Sequence, residues 1–518
     1  MEINNATVLQ EVPLLARLRL LGEVGSRLLG KYGLRMKSPQ VLTRRRAGVL
    51  AHPTSLPGTQ LQGTIGGDAR RFVDWCVEAK IGVWQVLPLG PTHEDRSPYQ
   101  CQSVLAGNPE LIDRSEPMAP DWPTNPALPV ATWLREARLA FEKGANDATR
   151  NAFANYVQAQ AGWLDDYALF RALRAAHNGL AWWDWEPPLA ARNACALSSA
   201  RARYAARIVD EQFGQFLFDY QWQLLRRHAQ DNDIELFGDA PIFVAQDSAD
   251  VWAARHWFKL SEEGQPYVVA GVPPDYFSAT GQRWGNPLYD WQAMREDGYG
   301  WWLRRLEHEL SRVDLLRIDH FRGFESYWEI PAEEETALVG KWCPGPGAQF
   351  LEAVRKRFGV VPVVAEDLGI ITDAVIALRD EFSLPGMKVL QFAFGGDASN
   401  PYLPHNHSPN AVSYSGTHDN DTTSGWASDA DAQVLKHACQ YLDCEPDGLP
   451  AAILRANFAS VASLAIAPMQ DFLGLGSEHR MNTPGVAKGN WRWRFQWEDV
   501  PPELATNIAS MMDTYGRC

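Results

Sequence analysis

No run of residues in this chain approaches the roughly 18 consecutive apolar positions that a membrane-crossing helix needs. The nearest candidate, Val12–Leu21, carries Arg17 and Arg19 within it, with Glu2 and Glu11 ahead of it and no small-residue cleavage site behind. That pattern argues against a secretory signal, and the acidic residues argue against a transit peptide. Residues 1–42 are instead expected to form a helical extension that docks through one apolar face. Positive charge is also short: 48 Lys and Arg stand against 63 Asp and Glu, a formal net charge of -15. Such a surface repels phosphate backbones and anionic lipid, so neither nucleic acid nor a membrane is expected as partner, and an uncharged substrate suits it better. The seven cysteines (Cys76, Cys101, Cys195, Cys343, Cys439, Cys444 and Cys518) are odd in number and contain no C-x-x-C pair. They fit reduced thiols in a cytoplasmic protein, not a disulfide framework or a zinc site. There is no internal repeat, no low-complexity segment and no His/Cys/Asp/Glu cluster with metal-ligand spacing, so no metal and no cofactor is expected.

Aromatic residues, by contrast, are plentiful, with 21 Trp, 15 Tyr and 21 Phe. Most should fill a large core, and some should line a groove where a flat apolar face packs against an extended ligand. Short apolar segments followed by loop signals predict eight strands: Gly48–His52, Gly82–Leu87, Glu235–Gly238, Asp314–Ile318, Val360–Ala365, Lys388–Phe392, Ala411–Tyr414 and Ala465–Met469. Helical periodicity lies between them at Asp68–Ala79, Trp301–Leu310, Ala348–Phe358 and Thr372–Glu381. The alternation predicts an α/β protein, a (β/α)8 barrel over residues 43–518 with mainly helical insertions; a doubly wound sheet would show the same pattern. One insertion, about 108–230, contains helix-like segments at Val130–Lys143, Arg150–His177 and Ser198–His228. A second, about 245–300, is rich in Pro, Gly and aromatics and is expected to be a loop region.

Three predicted strands end in acids: Asp319 after the fourth, Glu366 after the fifth and Asp419 just beyond the seventh. A single acid in such a place usually caps the following helix by accepting its free N–H groups. Three at the C-terminal rim of one barrel meet in a common bowl. Converging carboxylates suit glycosidic cleavage, where one attacks the anomeric carbon and another protonates the departing oxygen.

The segments around these acids, Arg317–Gly323, Ala365–Gly369 and Gly416–Asn420, resemble signature segments of the amylomaltase, or 4-α-glucanotransferase, family, relatives of the α-amylases. The likeness extends in order through Leu50–Gly58, Ser97–Gln100, Gly238–Val244, Val272–Ser278 and Arg480–Gly485. It implies an enzyme that transfers α-1,4-glucan segments between malto-oligosaccharides by a retaining double displacement. On that likeness Asp319 would be the nucleophile, Glu366 the acid and then base, and Asp419 the stabiliser of the oxocarbenium-like state. Arg317 would keep Asp319 ionised and His418 would bind a sugar hydroxyl. Tyr99, accompanied by Ser97, would stack on the transferred sugar. Asp275, Gln282 and Trp284 would belong to an acceptor-side loop, and Asn482 would contact substrate nearby. Arg283 departs from the apolar residue more usual before that Trp, and the first forty or so residues have no clear counterpart in minimal members. A retaining α-glucan hydrolase, or a non-catalytic glucan-binding protein on the same fold, remain the alternatives, and the oligomeric state is open.

Overall fold

The computed structural model describes residues 42–274 and 278–518. The expected N-terminal extension therefore lies outside the described residues, as does Asp275 with its neighbours Tyr276 and Phe277. In chain order the strands are β1 (Arg46–Leu50), β2 (Val83–Gln85), β3 (Glu235–Pro241), β4 (Val268–Val272), β5 (Gln282–Pro287) and β6 (Leu315–Asp319). They continue as β7 (Ser326–Pro331), β8 (Lys341–Pro344), β9 (Val363–Ala365), β10 (Gly386–Val389), β11 (Ala411–Tyr414) and β12 (Leu464–Pro468).

Eight of these form one parallel sheet in the order β10-β11-β12-β1-β2-β3-β6-β9. The Ala365 N–H donates to the Pro385 carbonyl at 2.9 Å, so the two ends meet and the sheet curls into a barrel. These are the eight strands that the sequence predicts, with shifted ends. Pro362 has no N–H for a sheet ladder, so the run from Val360 pairs only from Val363 onward. The sixth predicted strand stops at Val389, and Leu390–Phe392 tightens into a 3-10 turn. Helices Gly67–Glu78, Gly300–Arg312, Gly347–Phe358 and Asp373–Glu381 fall where the periodicity puts them.

Between β2 and β3 lie helices Val130–Gly144, Asp147–Ala176, Ala194–Arg203 and Ala205–Asp231. The second and fourth of these pack along each other around Phe141, Phe153, Phe213 and Phe216, whose rings meet at 4.9 to 6.3 Å. The single helix expected over Ser198–His228 is instead two, broken at Tyr204 where the backbone leaves helical geometry (φ -108°, ψ 18°). The region after β3 is also more regular than the loop expected from its composition. Two strands from it, β4 and β5, join β7 and β8 in an antiparallel sheet ordered β5-β4-β7-β8. Glycines and prolines interrupt these strands, and their register shifts between Val269 and Gly271, so no clean alternation betrays them in sequence. One continuous apolar core runs from the barrel strands into the helical insertion.

Candidate active site

Asp319 ends β6 and Glu366 follows β9; because Ile318 pairs with Ala365, the two acids stand side by side at the C-terminal rim. Asp419 comes from the loop after β11, two places further round the barrel. The structure thus brings the three acids to one end of the barrel, as the sequence suggested.

Arg317 lies two residues before Asp319, on the same face of β6. Its Nη2 donates to Asp319 Oδ1 at 2.8 Å, while Nη1 reaches both oxygens of Asp239 on β3, at 2.8 and 2.7 Å. Register makes this possible, since Asp239 sits directly opposite Arg317 across the β3–β6 ladder. A second donor reaches Asp239: the Tyr99 hydroxyl, 2.8 Å from Oδ2. The guanidinium is buried and permanently charged, and its hydrogen bond fixes one Asp319 oxygen in place.

Glu366 accepts two backbone hydrogen bonds, from the N–H of His320 to Oε2 at 2.7 Å and from the N–H of Leu368 to Oε1 at 2.8 Å. His320 reaches it by adopting a left-handed conformation (φ 55°, ψ 49°), costly for a residue with a Cβ, just as the chain leaves β6. Burial pushes the Glu366 carboxyl up to about 7; the charge of Arg317 and the two amides oppose this, and Asp319 reinforces it. The adjacent Asp367 points the other way, where it accepts the Met387 N–H at 2.7 Å and pairs with Arg379. It ties β9 to β10 and takes no part in the site.

Around Asp419 the loop is shaped locally. Asn420 Oδ1 accepts from the N–H and hydroxyl of Thr417 at 2.9 and 2.8 Å, closing a turn around His418 and Asp419. A Cβ on Gly416 would fall 2.7 Å from Gln391 Nε2, which donates to the Asp421 carbonyl at 2.8 Å, so a side chain there would have to displace that amide. Asn482 Nδ2 donates to Asp419 Oδ1 at 2.6 Å, and His418 Nε2 lies 3.2 Å from Oδ2. Burial would raise Asp419, but the charge of His418 and the hydrogen bonds of His418 and Asn482 outweigh it and hold this carboxyl well below the usual range. His418 moves upward in turn: burial works against its charge, and Asp419 outweighs that. Behind it, burial first and the charge of His418 second hold His52 down at about 3, so that imidazole stays neutral.

Tyr99 stacks on His418 with ring centroids 5.1 Å apart and planes 17° from parallel. Trp491 tilts against both rings, at 5.9 and 6.0 Å. Ser97 acts behind this wall, its Oγ accepting the Tyr99 N–H at 3.3 Å. Gln282 and Trp284 line a cleft of about 1350 Å³ whose wall also includes Asp419 and Asn420. The Trp284 indole N–H donates to Gln282 Oε1 at 3.1 Å, and the ring meets His320 edge-on at 4.8 Å. Arg283 turns outward and donates to the Ala332 carbonyl at 3.0 Å, tying the start of β5 to the chain just past β7.

Of the candidate site residues, Asp275 lies outside the described residues, and the others are placed by the structure. Sequence reasoning missed Asp239, Trp491 and the backbone role of His320. Asp239 carried a usable signal, an acid directly after the third predicted strand that could answer the buried Arg317. Trp491 carried none, since it lies in an irregular segment far along the chain. Among the described residues no group of three or more His, Cys, Asp or Glu is arranged to hold a metal ion, and no helix is long and apolar enough to cross a membrane.

The family model described as 4-alpha-glucanotransferase matches residues 51–499. The chain is 48% identical to the 4-alpha-glucanotransferase of Thermus thermophilus, over 91% of this chain and 99% of that protein. It is 46% identical to the 4-alpha-glucanotransferase of Synechocystis sp., over 92% and 99%. Amylomaltase from Streptococcus agalactiae, solved in complex with acarbose, superposes with a TM-score of 0.86 at 33% identity, covering 92% of this chain and all 100% of that one. A family model over most of the chain and relatives this similar along nearly their whole length leave one assignment: the chain belongs to the 4-alpha-glucanotransferase family.

Proposed function

We propose that Asp319, Glu366 and Asp419 carry out glucanyl transfer between α-1,4-glucans through a covalent intermediate. Asp319 attacks the anomeric carbon of the donor while Glu366 gives its proton to the departing 4-oxygen, which leaves a glucosyl ester on Asp319. The 4-hydroxyl of an acceptor chain then gives its proton back to Glu366 and displaces Asp319, so the anomeric configuration is retained. Asp419, ionised beside His418 and Asn482, binds hydroxyls next to the reacting carbon and favours the positive charge that develops there. Tyr99 supplies the apolar face for that sugar, with Ser97 setting its turn. One observation carries the reading: Arg317 anchors an Asp319 oxygen at 2.8 Å while burial keeps Glu366 protonated up to about 7. A nucleophile held in place by a fixed cation, beside a carboxyl that keeps its proton, is what the two steps require.

Transfer wins over hydrolysis only if the acceptor is held in attacking geometry, where effective molarities can reach roughly 10⁵–10⁸ M, and water is kept out. Gln282 and Trp284 on the cleft wall, with Asp275 nearby in sequence, supply that acceptor side. The domain reading follows: a catalytic barrel over 43–518, with the helical insertion at about 108–230 and an acceptor-side region at about 245–300. We also infer a cytoplasmic setting, supported by seven cysteines that are all free thiols. Maltotriose as sole substrate tests the reaction. A ladder of longer oligosaccharides with glucose is expected, abolished in Asp319→Ala with binding retained. Products that only shrink as reducing ends accumulate would assign a hydrolase instead.

A further inference from the structure

Beside the cleft the antiparallel sheet ends in an apolar shoulder. Leu338 and Val339, in the turn between β7 and β8, are 57% and 51% exposed; Trp342 on β8 is 40% exposed and Ile370, after β9, is 55% exposed. Two links join this shoulder to the cleft wall. Arg322 lays its guanidinium over the Trp342 ring, 3.8 Å from the centroid, and donates a hydrogen bond to the carbonyl of Ile370, itself a cleft residue. Ala337, next to Leu338, donates its N–H at 3.1 Å to the carbonyl of Thr280, just ahead of β5, the strand that carries Gln282 and Trp284. The indole is braced, not loose: Trp328 meets it at 5.2 Å, and β7 pairs Trp328 with Trp342 in register. No hydrogen bond among the described residues uses its N–H.

We propose that Trp342, with Leu338, Val339 and Ile370, forms an outer platform for the portion of a long α-glucan that extends beyond the cleft. The inference rests on the proposed function, since it takes the cleft as the path of the glucan. Pyranose rings present C–H faces that pack on indole and aliphatic surface while their hydroxyls stay in water, and the indole N–H offers one donor. Continuity decides the occupant: a chain leaving the cleft past Ile370 meets Trp342 next. Held by Arg322 and Trp328, the ring loses little freedom on binding, so stacking yields affinity.

The test compares kcat/KM for amylose-length acceptors with kcat/KM for the short acceptor maltotriose. Trp342→Ala is expected to lower the long-to-short ratio about three- to tenfold, the range of one aromatic stacking contact. Trp342→Tyr should keep much of the ratio. The double variant Leu338→Ser/Val339→Ser, altering only exposed side chains, should lower it by a smaller factor and guards against a folding defect in Trp342→Ala. A ratio unmoved in both the alanine and the serine variants overturns the platform. So does sedimentation showing that these changes dissociate a dimer with the ratio intact, which would give the shoulder to a second copy of the chain. Wild-type enzyme that makes no ladder from maltotriose would instead overturn the proposed function itself.

Discussion

Glu366 stands between opposing influences. Two amide donors and Arg317 favour its anion, whereas burial and the neighbouring Asp319 favour the acid, and the acid prevails up to about 7. As general acid Glu366 must carry its proton into the first step. Activity should therefore be full below that value and fall as pH rises through about 7, approaching tenfold per unit on the alkaline side. A pH profile of kcat/KM checks this, and a profile flat from pH 6 to 9 contradicts the role. Asp239 is the other telling residue. Its side chain is fully buried and shares Arg317, only 4% exposed, with Asp319. Asp239→Ala strands a buried cation with half its partners and should cost about 3–5 kcal/mol of stability, read by denaturant unfolding. A loss below about 1 kcal/mol would mean that Asp319 and water compensate fully.

At the scale of elements, strands deliver the acids and loops decide what meets them. Trp284 stands on β5, its edge against His320, whose N–H holds Glu366. Removing the ring opens the site to water and loosens the acceptor. Trp284→Ala should raise hydrolysis relative to transfer about tenfold, the scale of one aromatic contact, measured as reducing ends gained against glucose released from maltotriose. An unchanged ratio with lowered turnover would give Trp284 a purely structural part. The barrel strands were legible in sequence because each is buried on both faces and announces itself as a short aliphatic run, Leu464–Pro468 among them. The antiparallel sheet was not. Gly271 in β4 approaches β5 so closely that a Cβ would lie 2.2 Å from the Gln282 carbonyl, and such long-range fit leaves no local period.

Across the whole molecule the helical insertion and the barrel share one apolar core. Trp222, fully buried in helix Ala205–Asp231, donates its indole N–H to the Arg312 carbonyl at 3.0 Å, at the end of the helix that leads into β6. Trp222→Ala should cost about 3–5 kcal/mol and lower one melting transition common to insertion and barrel, followed by calorimetry. Two resolved transitions in the native enzyme would show that the insertion folds separately.

The sequence by itself determined the barrel strands, the three acids at their ends and the family segments around them, because each is encoded within a few consecutive residues. Tertiary structure alone decided that Asp239 completes the Arg317 clamp, that Trp491 backs Tyr99 and His418, and that His320 turns its amide toward Glu366. These depend on residues far apart in the chain meeting in space. The shift of Glu366 depends on them most, since burial is a property of the folded whole and of no single stretch of it.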